Sequence, residues 1–135
     1  MKKILALCLT LIVLTASTCK KENLALVTGT YSGEFTVVYE DGKTHTNPVS
    51  VTFTENTYNS TASEDRFPAG GSGTFTLDKN SISFSDEHMW TADFDWALIL
   101  NGKYDYQLKG KTLILSKKIG ENLKGTMTYT LTKDN

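Results

Sequence analysis

Near its carboxyl end the chain carries Thr126-Met127-Thr128-Tyr129-Thr130-Leu131-Thr132, in which threonine alternates with a large apolar or aromatic residue. Successive side chains of an extended strand point to opposite faces, so the large residues share one face and the threonines share the other. Threonine suits an exposed pleated surface because its branched Cβ favours strands while its hydroxyl contacts water. The stretch therefore predicts a β-strand with one buried face.

The same two-residue period recurs along residues 28–135, with turn signals at the roughly 8–12-residue spacing typical of all-β domains. Asp41-Gly42 and Lys79-Asn80 each separate two alternating segments, which predicts hairpins. Residues 28–135 are thus expected to form one all-β domain, a small antiparallel up-and-down β-barrel of about eight strands. Closure into a barrel would remove exposed sheet edges.

Two segments interrupt the alternation. Residues 63–72 contain Pro68 and Gly70-Gly71 and predict a long mobile loop. Residues 87–96 contain both tryptophans of the protein and must connect strands at one end of the barrel. The apolar run 97–100 follows, and Asn101-Gly102 predicts a hairpin turn before the next strand.

The second interruption supplies the candidate ligand-binding residues. A barrel end is where a cavity would open, so aromatic side chains beside it are expected to form a lid or wall of a ligand site. The alternative is a plug, in which the same rings close the barrel as core. The candidates are Trp90, Phe94, Trp96, Tyr104 and Tyr106.

The amino terminus has the layout of an export signal. Lys2 and Lys3 precede an apolar run over residues 4–14, and small residues follow. At about 1.5 Å rise per residue the run spans roughly 16 Å, about half a hydrocarbon core, so it is too short for a transmembrane helix.

The stretch Thr15-Ala16-Ser17-Thr18-Cys19 resembles the lipobox of bacterial lipoproteins, with Ala16 and Thr18 where the family prefers Leu and Gly or Ala. The charged Lys20-Lys21-Glu22 is similar to the surface-export signals of one group of Gram-negative bacteria. The resemblance implies a signal peptide over residues 1–18, lipidation of Cys19 and a tether over residues 19–27. It places the protein in the cell envelope, as an outer-membrane lipoprotein exposed at the surface. The alternative is an ordinary cleaved signal with a chance cysteine.

Beyond the tether, the chain resembles the small lipocalin-like domains of bacterial lipoproteins. The resemblance implies a barrel that holds an apolar ligand. It is carried by the order of the following stretches along the chain: Gly29-Thr30-Tyr31, residues 51–56, residues 73–77, residues 90–96 and residues 113–116.

Composition and motifs exclude several other classes of protein. The net charge is −1 and no polybasic run occurs, so no nucleic-acid partner is expected. The acidic residues around Asp86 and Asp93 do not form the shaped oxygen-rich loop that calcium requires. No nucleophile motif or phosphate-binding loop is present. We therefore expect no catalytic residues, no metal and no cofactor, and the protein is predicted not to be an enzyme.

The expected function is that of a lipid-anchored binding protein. Its partners would be the membrane, through the anchor, and a small hydrophobic ligand inside the barrel. Two alternatives stay open. One is a protein–protein interaction or inhibitor module with a solid barrel core; the other is a glycan-binding surface lipoprotein, since exposed aromatic rings suit sugars.

Overall fold

The computed structural model describes residues 27–120 and 124–135. Each strand pairs antiparallel with the next along the chain, and β8 pairs with β1, so the sheet closes on itself. The predicted all-β, up-and-down barrel of eight strands is confirmed. The strands are β1 (Gly29–Tyr39), β2 (Thr44–Thr54), β3 (Thr57–Ser60), β4 (Gly71–Leu77), β5 (Ser81–Asp86), β6 (Gly102–Lys109), β7 (Thr112–Ile119) and β8 (Gly125–Lys133).

The seam between β1 and β8 is the pairing most distant in sequence. Tyr129 lies opposite Phe35, and Leu131 lies opposite Gly33. A Cβ atom at Gly33 would lie 2.1 Å from the carbonyl oxygen of Thr130, so the two strands can approach this closely only with glycine there. Gly125 of β8 is a second such position, because a Cβ atom there would lie 2.4 Å from the carbonyl oxygen of Val38, so the seam depends on two positions without a side chain.

The predicted inward face of β8 is confirmed, because Met127, Tyr129 and Leu131 are buried. Their neighbours in the barrel interior form a connected set of aromatic rings, in which each pair packs in an edge-to-face or tilted geometry. Such pairs contribute about 0.5–1.5 kcal/mol beyond their burial. The centroid distances are Tyr31–Phe53 5.8 Å, Phe53–Phe75 5.2 Å, Tyr58–Phe84 4.7 Å, Phe84–Tyr104 5.6 Å, Tyr104–Tyr129 6.0 Å and Phe35–Tyr129 4.7 Å.

The two ends of the barrel differ. At one end, here called the tight-turn end, short turns over residues 55–56, 78–80 and 110–111 join the strands. Val27 precedes β1 at this end and is completely buried. At the opposite end, the loop end, residues 61–70 join β3 to β4 and residues 87–101 join β5 to β6.

The apolar run 97–100 is not a strand, and the hairpin predicted at Asn101-Gly102 is wrong. Gly102 begins β6 and lies opposite Phe84 of β5, so the two strands flanking the long connection pair directly with each other. The run has no strand to pair with. It forms a short 3-10 turn, Trp96–Leu98, and then buries its side chains over the loop end.

The loop predicted over residues 63–72 lies two residues earlier, over residues 61–70, and its second half is buried. It contains the 3-10 turn Glu64–Arg66, and β4 already begins at Gly71. Phe67 is buried, with its ring 5.3 Å from Phe35 and stacked at 4.1 Å on His45. The two long connections bond to each other, since the amide of Leu100 donates to Gly70 at 2.8 Å. Together they close the loop end.

Replacing two buried tyrosines by phenylalanine should have opposite effects on stability. The Tyr58 hydroxyl donates to the carbonyl of Leu100 at 2.6 Å, whereas the Tyr129 hydroxyl is buried without a partner among the described residues. Tyr58→Phe leaves that carbonyl unpaired and should lower the free energy of unfolding by about 1–3 kcal/mol. Tyr129→Phe removes an unpaired group and should leave stability unchanged or raise it. Urea unfolding followed by circular dichroism measures both; a larger loss for Tyr129→Phe would contradict this account.

Candidate binding surface at the loop end

The structure brings together three of the five aromatic residues predicted to bind a ligand. Trp90 and Phe94 pack at 5.4 Å, and Trp96 lies beside them on the same loop. Tyr104 is buried in the core. Tyr106 lies at the tight-turn end, where its amide donates to the carbonyl of Asn80 at 3.0 Å. The five side chains therefore do not line one site.

The segment that carries the three grouped residues, here called the aromatic loop (residues 87–96), is anchored by Asp86 at the end of β5. The Asp86 carboxylate accepts hydrogen bonds from the amide of Ser72, at 2.9 Å, and from the Trp90 indole. Its own amide donates to Asn101 at 3.1 Å. These bonds hold the Trp90 ring in one orientation against the barrel.

A second anchor reaches the aromatic loop from the other long connection. Arg66 donates to Asp93 and to Thr91, both at 3.0 Å, and its guanidinium lies 4.9 Å from the centroid of the Phe94 ring. A hydrogen bond from Thr91 and then the charge of Arg66 hold the pKa of the Asp93 carboxyl below its usual range. Arg66 has a φ of 55°, which is uncommon for a non-glycine residue. With this backbone conformation, the Arg66 side chain points toward the aromatic loop.

The aromatic loop exposes two large apolar side chains. Met89 is 93% exposed and Trp96 is 57% exposed. The Trp96 indole donates to the carbonyl of Thr91 at 3.1 Å, and Asp95 accepts from the amide of Ala97 at 2.8 Å. These bonds order the backbone that presents Trp96, so its ring is held at the surface. Two large apolar side chains exposed on one loop make this loop a candidate interaction surface.

Beside the aromatic loop lies an open groove of about 270 Å³, here called the Trp90 groove. It runs between the paired strands β3 and β4 on one side and His88 with Trp90 on the other, and these two rings pack at 4.6 Å. Small residues form its floor. The lining residues are Asn59, Ser60, Ala62, Ala69, Gly71, Ser72, His88 and Trp90.

A lysine that the sequence did not point to, Lys117 of β7, reaches the end of the 87–101 connection. The Lys117 ammonium donates to the carbonyl of Asn101 at 2.9 Å and lies 5.2 Å from the centroid of the Tyr104 ring. Burial lowers the pKa of Lys117. Burial also raises the pKa of the Tyr58 hydroxyl, which the nearby Asp86 raises further. Both groups bond to backbone carbonyls of the 87–101 connection, so they stabilise that connection.

Sequence reasoning missed Arg66, Asn59 and Ser60 as members of this surface. They lie more than twenty residues from Trp90 along the chain, and no motif marks them. Within residues 27–120 and 124–135, no group of three or more His, Cys, Asp or Glu side chains is placed to hold a metal ion. The same residues include no helix that is long and apolar enough to cross a bilayer.

Comparison with protein-family models, with curated proteins and with solved structures gave no match. The resemblance to lipocalin-like lipoprotein domains therefore stays a prediction, apart from the barrel architecture, which the structure confirms. Cys19, the signal peptide and almost all of the tether lie outside the described residues.

The two anchors of the aromatic loop should differ in strength. Asp86→Ala removes a part-buried acceptor and leaves the Ser72 amide unpaired, so we expect it to lower the free energy of unfolding by about 1–3 kcal/mol. Asp93→Ala breaks an exposed ion pair and should cost less, because water screens such pairs. Thermal unfolding of the two variants tests the ranking. Equal losses would mean that Asp86 does not hold the loop.

Proposed function

We propose that this chain is a lipid-anchored protein of the bacterial cell envelope that binds its partner through the aromatic loop and the Trp90 groove. The barrel is a solid scaffold that holds this surface in a fixed shape. Cys19 carries the anchor, and the two long connections at the loop end carry recognition.

The observation that supports this function is the distribution of aromatic side chains. Rings in contact occupy the barrel interior, from Tyr31 through Phe53 and Phe84 to Tyr129. A ligand inside the barrel would have to displace them. Outside the barrel, Met89 and Trp96 expose apolar surface at some cost in solubility, although neither is needed as core. A filled interior with apolar side chains exposed outside it favours a module that binds its partner on the surface of a solid barrel. It argues against a barrel that carries an apolar ligand inside.

The position of the tether agrees with recognition at the loop end. The eight steps along the chain from Cys19 to Val27 reach at most about 26–29 Å, at 3.3–3.6 Å per residue. Val27 is buried at the tight-turn end. β1 has 11 residues and rises about 28 Å along the axis if it tilts as strands in small barrels do. In the proposed arrangement the tight-turn end faces the membrane, and the aromatic loop points away from it.

The first prediction of the proposed function concerns the lipid anchor at Cys19. Cys19→Ser removes the thiol that would be acylated, so radioactive palmitate should label the unaltered protein and not the variant. The variant should also leave the membrane fraction, because acyl chains contribute about 0.8 kcal/mol per buried CH₂ to membrane binding. Cys8→Ser is the matched control and should keep both label and membrane location. Equal labelling of all three proteins would contradict the anchor.

The second prediction concerns binding of a partner at the loop end. A benzophenone side chain introduced at Met89 should form covalent adducts with a macromolecule of the envelope in illuminated cells, since it inserts into C–H bonds of proteins and sugars alike. The same group at Asn80, in the tight turn between β4 and β5, should not form them. Trp96→Ala should reduce the adducts formed from position 89.

Two outcomes would contradict recognition at the loop end. One is equal adduct formation from positions 89 and 80, or none from either. The other is saturable binding of an apolar fluorescent dye that Leu115→Trp, inside the barrel, abolishes while the variant still folds, because this outcome would place the ligand in the interior.

A further inference from the structure

We propose that the Trp90 groove is a saccharide-binding site that takes one neutral sugar ring. The inference rests on the proposed function, because the groove adjoins the aromatic loop, and it names the class of ligand. The groove combines a fixed aromatic wall with unused hydrogen-bonding groups and a floor without bulky side chains.

The aromatic wall is preorganised. The Trp90 indole N–H is already bonded to Asp86, so the side chain offers its ring surface and not its donor. His88 packs against one part of the ring and Phe94 against another, which leaves the indole half-buried. A sugar ring presents a face of C–H groups, and aromatic surfaces bind such faces through dispersion and their electron-rich π cloud. Because Trp90 is already held in place, binding costs little side-chain entropy.

The opposite wall supplies hydrogen bonds. Asn59 of β3 lies directly opposite Ser72 of β4, so their side chains project side by side. Neither side chain makes a hydrogen bond within the part of the chain that the structure describes, and both line the groove. An amide and a hydroxyl together offer donors and acceptors. That mixture matches the hydroxyl groups around the edge of a sugar ring.

The floor of the groove contains a buried group that lacks a good partner. Ser60 is only 7% exposed, and its hydroxyl reaches the carbonyl of Thr61 at 3.5 Å, beyond the usual range of about 2.5–3.0 Å for such bonds. Gly71, beside it, has a φ of 145°, and a Cβ atom there would lie 3.1 Å from an Asp86 carboxylate oxygen, so glycine lets β4 pack closely on the residue that holds Trp90. The floor thus leaves one hydroxyl to be satisfied by a ligand.

Size and charge narrow the ligand class. The volume of about 270 Å³ is just below the roughly 300–1,000 Å³ of pockets for drug-sized molecules, which suits a single ring. Among the described residues, no Asp, Glu, Lys or Arg lines the groove. Within the described part of the chain, His88 is the one lining side chain able to carry a positive charge, and no lysine or arginine lies beside it in the lining, so a neutral sugar fits better than an acidic one.

The two tryptophans allow a direct test. The indole N–H resonances of Trp90 and Trp96 can be followed separately in the full chain labelled with ¹⁵N, purified in a detergent without a sugar headgroup. The probes are glucose, galactose, mannose, xylose and N-acetylglucosamine. We expect at least one of them to shift the Trp90 resonance saturably and to leave the Trp96 resonance in place, because Trp96 does not line the groove.

Matched variants assign the site. Asn59→Ala should weaken sugar binding about three- to tenfold, as the loss of one hydrogen bond would. Asn80→Ala, which changes the same residue type in an exposed turn at the other end of the barrel, should leave the affinity unchanged. Ser72→Ala is a second groove variant and should also weaken binding, which keeps the test decisive if Asn59→Ala fails to fold.

Three results would overturn the saccharide site. The first is that no sugar moves the Trp90 resonance. The second is that Asn59→Ala and Ser72→Ala both bind with unchanged affinity. The third is that a proline-rich peptide or glucuronic acid binds the groove where neutral sugars do not. Benzophenone adducts formed from position 89 and not from position 80 would then show that the loop end still recognises a partner and that only the ligand class is wrong.

Discussion

The structure depends on the pairing of β1 with β8, which converts a series of hairpins into a closed barrel. Each of the other pairings joins strands that are consecutive in the chain, whereas this one joins the two ends of the domain. Closure gives every described strand a neighbour on both sides, so their sheet has no edge strand of the kind that an open sheet presents to another chain. The close approach at Gly33 and the row of large residues on β8 make the seam specific, because a shift of one residue would turn Met127, Tyr129 and Leu131 outward.

Closure of the barrel also affects where a ligand could bind. Eight strands enclose a space that side chains can fill, and here aromatic rings occupy it. The ends are covered as well, by Val27 at one end and by Phe67 with the 98–100 segment at the other. With side chains in the interior, we expect a partner to bind on the outside of the barrel, and the long connections at the loop end are the surface proposed for it. The Trp90 groove and the aromatic loop lie there.

The barrel was predictable because alternation is a local signal. Each strand shows its two faces within a few residues, as β8 does through its threonines. The site was predictable only in part. The aromatic content of residues 87–96 marked Trp90, Phe94 and Trp96, but nothing local indicated that Tyr104 and Tyr106 belong to the core and to the far end. Arg66 reaches the aromatic loop, and Asn59 reaches the Trp90 groove, only through the pairing of β3 with β4 and the packing of two loops. Such long-range contacts leave no periodic pattern in the sequence.

The wall made by β4 and β5 lies across the barrel from the seam of β1 and β8, since two strands separate them in either direction. The aromatic loop follows β5, which belongs to this wall, and none of its residues takes part in the β1–β8 pairing that closes the sheet. Insertions, deletions or substitutions in residues 87–96 can therefore accumulate while the scaffold is preserved, as is usual for exposed loops. In such a barrel, selection must preserve the paired strands but can vary the aromatic loop. Related chains would therefore differ first in the length and aromatic content of this loop.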